Sequence, residues 1–399
     1  MIELANRIKD VEEYYFSKKL QEVRSLDSPQ FPVINLGIGS PDLPPSADVI
    51  QALNQTATDS GSHGYQSYKG IAPLREGIAQ FYDRKYQVTL DPETMILPLM
   101  GSKEGIMHIS MAFVNEGDEV LIPDPGYPTY ASVSKLVGAR IGTYALQSEN
   151  NWQIDFEKLE GRDLSKVKLM WINTPHMPTG SVLAKSDVSR LIELAKRKNF
   201  LLVNDNPYSV ILNDDPQSIL AHPGAKEVCL ELNSLSKSHN MPGWRVGWLV
   251  GNASYIEAVL RVKSNMDSGM FLGIQKAAVQ ALKQPDLWFN ALNDSYSKRK
   301  VIACEILDLL ECEYSPTQVG LFVWAKVPHH VGSVEKWIDD ILYESKVFIT
   351  PGFIFGEAGA RFIRISLCAN ENKLTEAKKR ISNWAGITKS NKALINDLK

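Results

Sequence analysis

Four apolar runs set the pattern of this chain: Thr94 to Met100, Val120 to Pro123, Leu169 to Ile172 and Phe200 to Asp205. Each is short, and each breaks at or within three residues of a glycine, a proline or an acid. A run that is apolar at nearly every position fits a strand buried on both faces, as in a parallel sheet covered by helices on each side. Strand-like and helical stretches alternate from about residue 46 to 286. This predicts an α/β fold, with residues 46–286 as a large domain around a mostly parallel sheet. At 399 residues the chain exceeds what one small core requires.

Composition then works by exclusion. A formal net charge of −3, with 22% charged residues, gives no reason to expect nucleic acid or an anionic membrane as partner. Cys229, Cys304, Cys312 and Cys368 are scattered and form no CxxC pair, which argues against structural zinc and a disulfide framework. The first ten residues lack the apolar core of a signal peptide, and no apolar run approaches the length of a membrane span. A cytoplasmic setting is the default expectation.

One stretch asks for a chemical explanation: Asn233-Ser-Leu-Ser-Lys-Ser-His-Asn-Met-Pro-Gly-Trp-Arg-Val-Gly-Trp248. Lys237 sits among hydroxyl residues, with Arg245 eight positions on. A lysine that must form a Schiff base has to be partly desolvated, so that some of it is neutral and nucleophilic. A phosphate held nearby would need hydroxyl donors and a guanidinium fork. Ser234, Ser236 and Lys237, followed by Gly243, Arg245 and Gly247, resemble the lysine motif of the class I/II aminotransferases, fold-type-I enzymes that use pyridoxal 5'-phosphate.

The resemblance covers nearly the whole chain and implies roles elsewhere. It implies a seven-stranded sheet, with a smaller α+β domain built from residues 1–45 and 287–399. Ile34 to Asp42 matches the entry loop, where the backbone at Gly39 lies close to the substrate carboxylate and a side chain would block the approach. Tyr65, with Tyr68 as a competitor, matches a tyrosine that reaches the cofactor phosphate of a neighbouring subunit, which implies a homodimer with shared sites. Gly101-Ser102-Lys103 opens a helix after a strand, and backbone N–H groups in that arrangement face an anion. Lys103 could instead be solvated or face the distal end of a substrate. Tyr127, in a proline-rich loop, matches the aromatic that stacks on the pyridine ring. The same loop carries an Asp124–Pro125 bond expected to be cis.

Asp205 and Tyr208 match the pair whose acid keeps the ring nitrogen protonated and whose tyrosine donates to the phenolic oxygen. Arg364 lies mid-strand among apolar neighbours, an expensive place for an unpaired charge, and matches the arginine that clamps the α-carboxylate. Arg361 is the alternative in that role. At one position the chain departs from the family: Met177 stands where an asparagine normally bonds the phenolic oxygen, and a thioether is only a weak acceptor. Asn173 or His176 are the available substitutes. Lys263 to Phe271 is similar to the subgroup that includes LL-diaminopimelate aminotransferases. Residues 4–24 have amphipathic spacing and predict a docking helix, with Tyr14 or Tyr15 as a minority candidate near substrate.

The activity these residues imply is transfer of an amino group from an α-amino acid to a 2-oxo acid through a Schiff base at Lys237. A C–S β-lyase on the same scaffold is the alternative. A PLP module fused to a DNA-binding domain is disfavoured, because only about thirty residues precede the entry loop.

Overall fold

The computed structural model describes residues 2–9, 11 and 15–396, with side chains as far as residue 387. Tyr14 lies outside the described residues. Thirteen strands are present among them. In chain order they are β1 (Ile34–Asn35), β2 (Ile96–Leu99), β3 (Glu119–Asp124), β4 (Arg140–Ala145), β5 (Val167–Ile172), β6 (Leu201–Asp205) and β7 (Cys229–Ser234). These are followed by β8 (Gly247–Gly251), β9 (Glu313–Tyr314), β10 (Phe322–Lys326), β11 (Val347–Phe348), β12 (Thr350–Pro351) and β13 (Phe362–Ser366).

The main sheet has seven strands in the order β2-β8-β7-β6-β5-β3-β4. Every neighbouring pair from β7 to β4 is parallel, and β8 alone runs against its neighbours. The continuous apolar character of these strands has a direct cause. Side chains alternate across a strand, and here both faces are buried. On β5, Val167, Met170 and Ile172 enter one core, whereas Leu169 and Trp171 enter the other.

A four-stranded sheet, β12-β13-β10-β9, forms the core of the chain's second part. Both ends of the sequence contribute to this part. Parallel pairing of β1 with β11 brings residues 34–35 beside 347–348. Arg299, on the long helix Asp286–Leu309, reaches Asp42 at 2.7 and 3.1 Å and also donates to the carbonyl of Leu367. These contacts fix the entry loop in place. The Asp124–Pro125 bond is cis, as expected, and so are Thr174–Pro175 and Met177–Pro178.

Two stretches differ from what their spacing predicts. The N-terminal segment forms two helices, Asn6–Lys9, which has no buried residue, and Tyr15–Ser25, which buries Lys19 and Val23. Val23 packs with Leu342 and Phe348, Lys19 pairs with Asp339 at 2.6 Å, and Tyr15 meets Phe353 edge-on. Leu4 and Ile8, which fall within the amphipathic spacing of residues 4–24, are exposed. The last helix, Glu371–Asn396, runs on through the polar tail after Ala385, which composition alone would leave frayed.

A buried acid holds the carboxyl edge of the main sheet. Glu231 on β7 is fully buried and accepts from Tyr82 Oη at 2.9 Å, Asn204 Nδ2 at 2.9 Å and the Ile219 amide at 3.0 Å. Asn204 in turn accepts from the Thr174 amide at 3.1 Å, so the ends of β5 and β6 are tied together. Replacing the acid leaves three buried donors without partners, at about 1–3 kcal/mol each before relaxation. Glu231→Leu should therefore lower stability by roughly 3 kcal/mol or more, and Tyr82→Phe by about 1 kcal/mol. Urea unfolding followed by circular dichroism measures both.

Candidate active site

The carboxyl ends of five parallel strands deliver side chains to one cavity of about 640 Å³. Open parallel sheets place ligands at this edge because the chain leaves each strand there through a loop. After β2 come Ser102 and Lys103; after β3, Tyr127 and Tyr130; after β5, Asn173 and Met177. Asp205 ends β6 and Tyr208 follows it; Ser234 ends β7 and is followed by Ser236 and Lys237. β8 runs the other way, so the residues just before it, including Arg245, arrive at the same edge. The second sheet closes the cavity with Phe322 on β10 and Arg364 on β13, and the entry loop adds Gly39.

Three of the charged groups that line this space are buried or half-buried. Lys237 Nζ donates to the carbonyl of Gly39 at 2.5 Å. Burial lowers the pKa of its amine, and the nearby charges of Arg364 and Arg245 push the same way against Cys368 and Asp205. Asp205 is buried, with Oδ2 accepting from Tyr130 Oη at 2.9 Å and Oδ1 left without a partner. Burial raises its carboxyl to about 6, while the Tyr130 hydrogen bond and Lys237 oppose the shift. Arg364 is 6% exposed and pairs with no carboxylate among the described residues. Its guanidinium lies 3.9 Å from the centroid of Phe322 and 4.6 Å from that of Phe355, and Nη2 donates to the Gly37 carbonyl at 2.7 Å. Burial lowers its pKa to about 10. Arg361, by contrast, turns away and donates to the carbonyls of Val331 and Pro328.

The other end of the cavity is built for an anion. The helix Ser102–Phe113 begins there, and Gly101 before it has φ +88°. A Cβ at Gly101 would collide with the Arg245 guanidinium, so only glycine permits the approach. Arg245 donates to the Pro242 carbonyl at 2.9 Å and is otherwise exposed to the cavity. The Ser234 and Ser236 hydroxyls lie 2.7 Å apart. Hydroxyls, a guanidinium and a helix start together form a phosphate-sized cradle.

Of the two groups that could stand in for the missing asparagine, Asn173 lines the cavity and His176 does not. Asn173 is committed at both ends: Nδ2 donates to the Asp205 carbonyl at 2.5 Å, and Oδ1 accepts from the Met177 amide at 2.7 Å. His176 faces Thr179 Oγ1 at 2.8 Å and does not line the cavity. Met177 lines it, with Sδ 3.2 Å from Arg364 Nη1.

Tyr65 is 93% exposed and Tyr68 44% exposed, both outside this cavity. Tyr130 was not singled out from sequence. It holds Asp205 and stacks on Trp171 at 5.1 Å between centroids. Its position three after Tyr127, one turn into a helix that starts at Pro128, was the available signal. The helix Tyr15–Ser25 presents Phe16, Ser17, Leu20 and Arg24 to the cavity, whereas Tyr15 packs on Phe353.

Comparison with known proteins agrees with this geometry. The family model described as aminotransferase class I and II matches residues 32–381. An LL-diaminopimelate aminotransferase of Oleidesulfovibrio alaskensis is 38% identical over 95% of this chain and 98% of its own. The enzyme of that name from Aquifex aeolicus is 37% identical over 96% and 99%. Among solved structures, BacF from Bacillus subtilis superposes with a TM-score of 0.92 at 33% identity, covering 96% of this chain and 99% of that one. The aspartate aminotransferase of Thermotoga maritima gives a TM-score of 0.88 at 28% identity, covering 96% and 100%. The chain therefore belongs to the class I and II aminotransferases, pyridoxal 5'-phosphate enzymes that move an amino group from an α-amino acid to a 2-oxo acid.

Proposed function

We propose that Lys237, Asp205 and Arg364 carry the transamination, with Tyr208 assisting. One observation supports this above the others: a half-buried amine, a buried carboxylate with a free oxygen and a buried guanidinium without a carboxylate all line one cavity. The residues fit pyridoxal 5'-phosphate. Asp205 Oδ1 is an orphaned buried acceptor of the kind a protonated ring nitrogen satisfies, and the Gly101 cradle leaves room for a phosphate. When bound, the cofactor supplies an aldehyde that condenses with amines and a ring that accepts an electron pair from the α-carbon.

The protein's own part follows from charge and position. Ser102, Lys103, Ser234, Ser236, Arg245 and the N–H groups of the helix start hold the phosphate. Tyr127 offers its ring to the pyridine. Asp205, steadied by Tyr130, holds a proton on the ring nitrogen, and Tyr208 donates to the phenolic oxygen. Asn173 keeps the chain after β5 and β6 in register through its two hydrogen bonds. Arg364 takes the α-carboxylate as a fork, with the Gly39 backbone alongside. Lys237, its amine kept partly neutral by burial, removes the α-proton and returns it.

Tyr65 completes the phosphate site of a second copy, so the working unit is a homodimer; its exposure in the single chain supports this. The division into residues 46–286 and residues 1–45 with 287–399 belongs to the same proposal, as does a cytoplasmic location. No helix among the described residues is long and apolar enough to cross a membrane.

Lys237→Ala should abolish both the visible absorption of the bound cofactor and conversion of an amino acid in a single turnover. Retained turnover refutes the assignment, and release of pyruvate and ammonia without use of an oxo acid reassigns the chemistry to β-elimination. Asp205→Asn should stabilise the apoprotein at neutral pH. The carboxyl's folded pKa, about 6, lies above its ordinary value. Its stabilising balance is thus complete only below about pH 4 and lost as pH rises through about 6. The thermal midpoint of the variant should match wild type near pH 4 and exceed it near pH 7.5, while cofactor affinity falls. Met177→Asn adds a donor beside the phenolic oxygen. It should move the pH dependence of the cofactor's absorption to lower pH by on the order of one unit.

A further inference from the structure

A buried ion pair stands outside the cavity. Lys263 ends the helix Ala253–Lys263, and its Nζ lies 2.9 and 2.8 Å from the two carboxylate oxygens of Asp267, with both side chains at most 5% exposed. Desolvating two charges is costly, so a buried pair is weak evidence of added stability. Its place in the fold gives it another task. Asp267 Oδ1 also accepts from the Gly269 amide at 2.8 Å, which closes a turn in the loop 264–271. On one side, Glu104 and His108 bring ligand atoms within 4.8 Å of the Asp267 carboxylate, from the helix that begins at the phosphate cradle. Lys263 already supplies the positive charge there. On the other side, the loop meets the segment 64–71. Gly269 has φ +84°, and a Cβ there would collide with the Gln66 carbonyl, so the two backbones touch. Gln275 closes the same seat: its Nε2 donates to the Met270 carbonyl at 2.6 Å, and its Oε1 accepts from the Ile71 amide at 2.8 Å. Tyr65, next to Gln66, points out of this segment and does not line the cavity of its own chain.

We infer that the Lys263–Asp267 pair is a positioning element for the cofactor phosphate of the second copy. This rests on the homodimer and cofactor readings above. The pair fixes the turn at Gly269, the turn seats the backbone of Gln66 and Ser67, and that seat aims Tyr65 at the neighbouring chain. A segment fixed in advance has less freedom to lose when its tyrosine meets a phosphate, so the contact binds more tightly. The pair thus acts in trans, on the site of the other chain, although Glu104 stands on the helix that begins the phosphate cradle of its own.

Two variants break this series of contacts at different links. Asp267→Asn removes the charge that holds Lys263, and Gly269→Ala forces the Gln66 backbone away. In the apoprotein, amide hydrogen exchange over residues 66–71 should quicken on the order of tenfold in either variant. Titrated with pyridoxal 5'-phosphate and followed by absorbance, either homodimer should bind on the order of tenfold more weakly. Combining either change with Tyr65→Phe should weaken binding by less than about twofold beyond Tyr65→Phe alone. Lys263→Arg keeps the charge and should keep the affinity. Mixed dimers of Gly269→Ala and Lys237→Ala chains locate the effect. Their one lysine-bearing site belongs to the Gly269→Ala chain but takes Tyr65 from a chain whose loop is intact. Single-turnover conversion against cofactor concentration, which that site alone performs, should show an affinity within about twofold of wild type. A site that stays weak overturns the inference, because the loop then acts within its own chain. Wild-type affinity in both homodimeric variants overturns it too. Where one variant fails to fold, the other takes its place; failure of both to fold overturns the inference in favour of a purely structural pair. A wild-type chain that sediments as a monomer overturns the homodimer reading, and one that binds no cofactor overturns the aminotransferase reading, each taking this inference with it.

Discussion

The guanidinium of Arg364 sits between two phenyl rings, mid-strand, with a backbone carbonyl and a thioether as its polar partners. Burying a cation without a counter-charge is costly, and the structure bears that cost at a second place too, where one oxygen of Asp205 has no donor. Neither group has an internal partner that would cancel it. That is the condition under which a substrate carboxylate and a protonated ring can bind by completing pairs the protein leaves open. Electrostatic preorganisation of this kind needs a rigid frame, because a mobile frame would let the charges relax toward each other or toward water.

The frame is the parallel sheet and the polar links at its carboxyl edge. Glu231, Asn204 and the Thr174 amide connect β7, β6 and the loop after β5, immediately behind Asp205. Tyr130 comes from a different crossover and meets Asp205 from another side, stacked on Trp171. The acid's direction is thus set by elements far apart in sequence. The second part of the chain is joined to this frame by a continuous apolar core, and within that part the Arg299–Asp42 pair holds the entry loop. Arg364 and the entry loop are thereby carried to the cavity as one unit.

Much of this was legible in the residues. Strand ends are where glycine, proline and acids interrupt apolar runs, so the sequence places Gly101, Asp205 and Ser234 at one edge once the sheet is known to be parallel. Arg364 was legible because an arginine between isoleucines needs a reason. Tyr130 was not legible: one aromatic in a proline-rich loop looks like the next, and only the approach of β6 distinguishes it from Tyr127. The same holds for Arg24. Helical spacing gives a helix two sides, but which side meets the cavity depends on Lys19 finding Asp339, a contact across 320 positions of sequence. The fate of the missing asparagine was also closed to sequence. Asn173 has the right chemistry to replace it, and only the structure shows that its amide is also tied to the Asp205 carbonyl and the Met177 amide.

By itself, then, the sequence determined the chemistry on offer: a lysine among hydroxyls, an acid at a strand end, a buried arginine, and a parallel α/β scaffold to hold them. Those follow from local pattern, because propensity, periodicity and the cost of stranded charge act over a few residues. Tertiary structure alone decided which groups stay unpaired, which tyrosine holds the acid, and which face of the first docked helix roofs the cavity. Such outcomes depend on partners from tens to hundreds of residues away, whose distances no local pattern encodes.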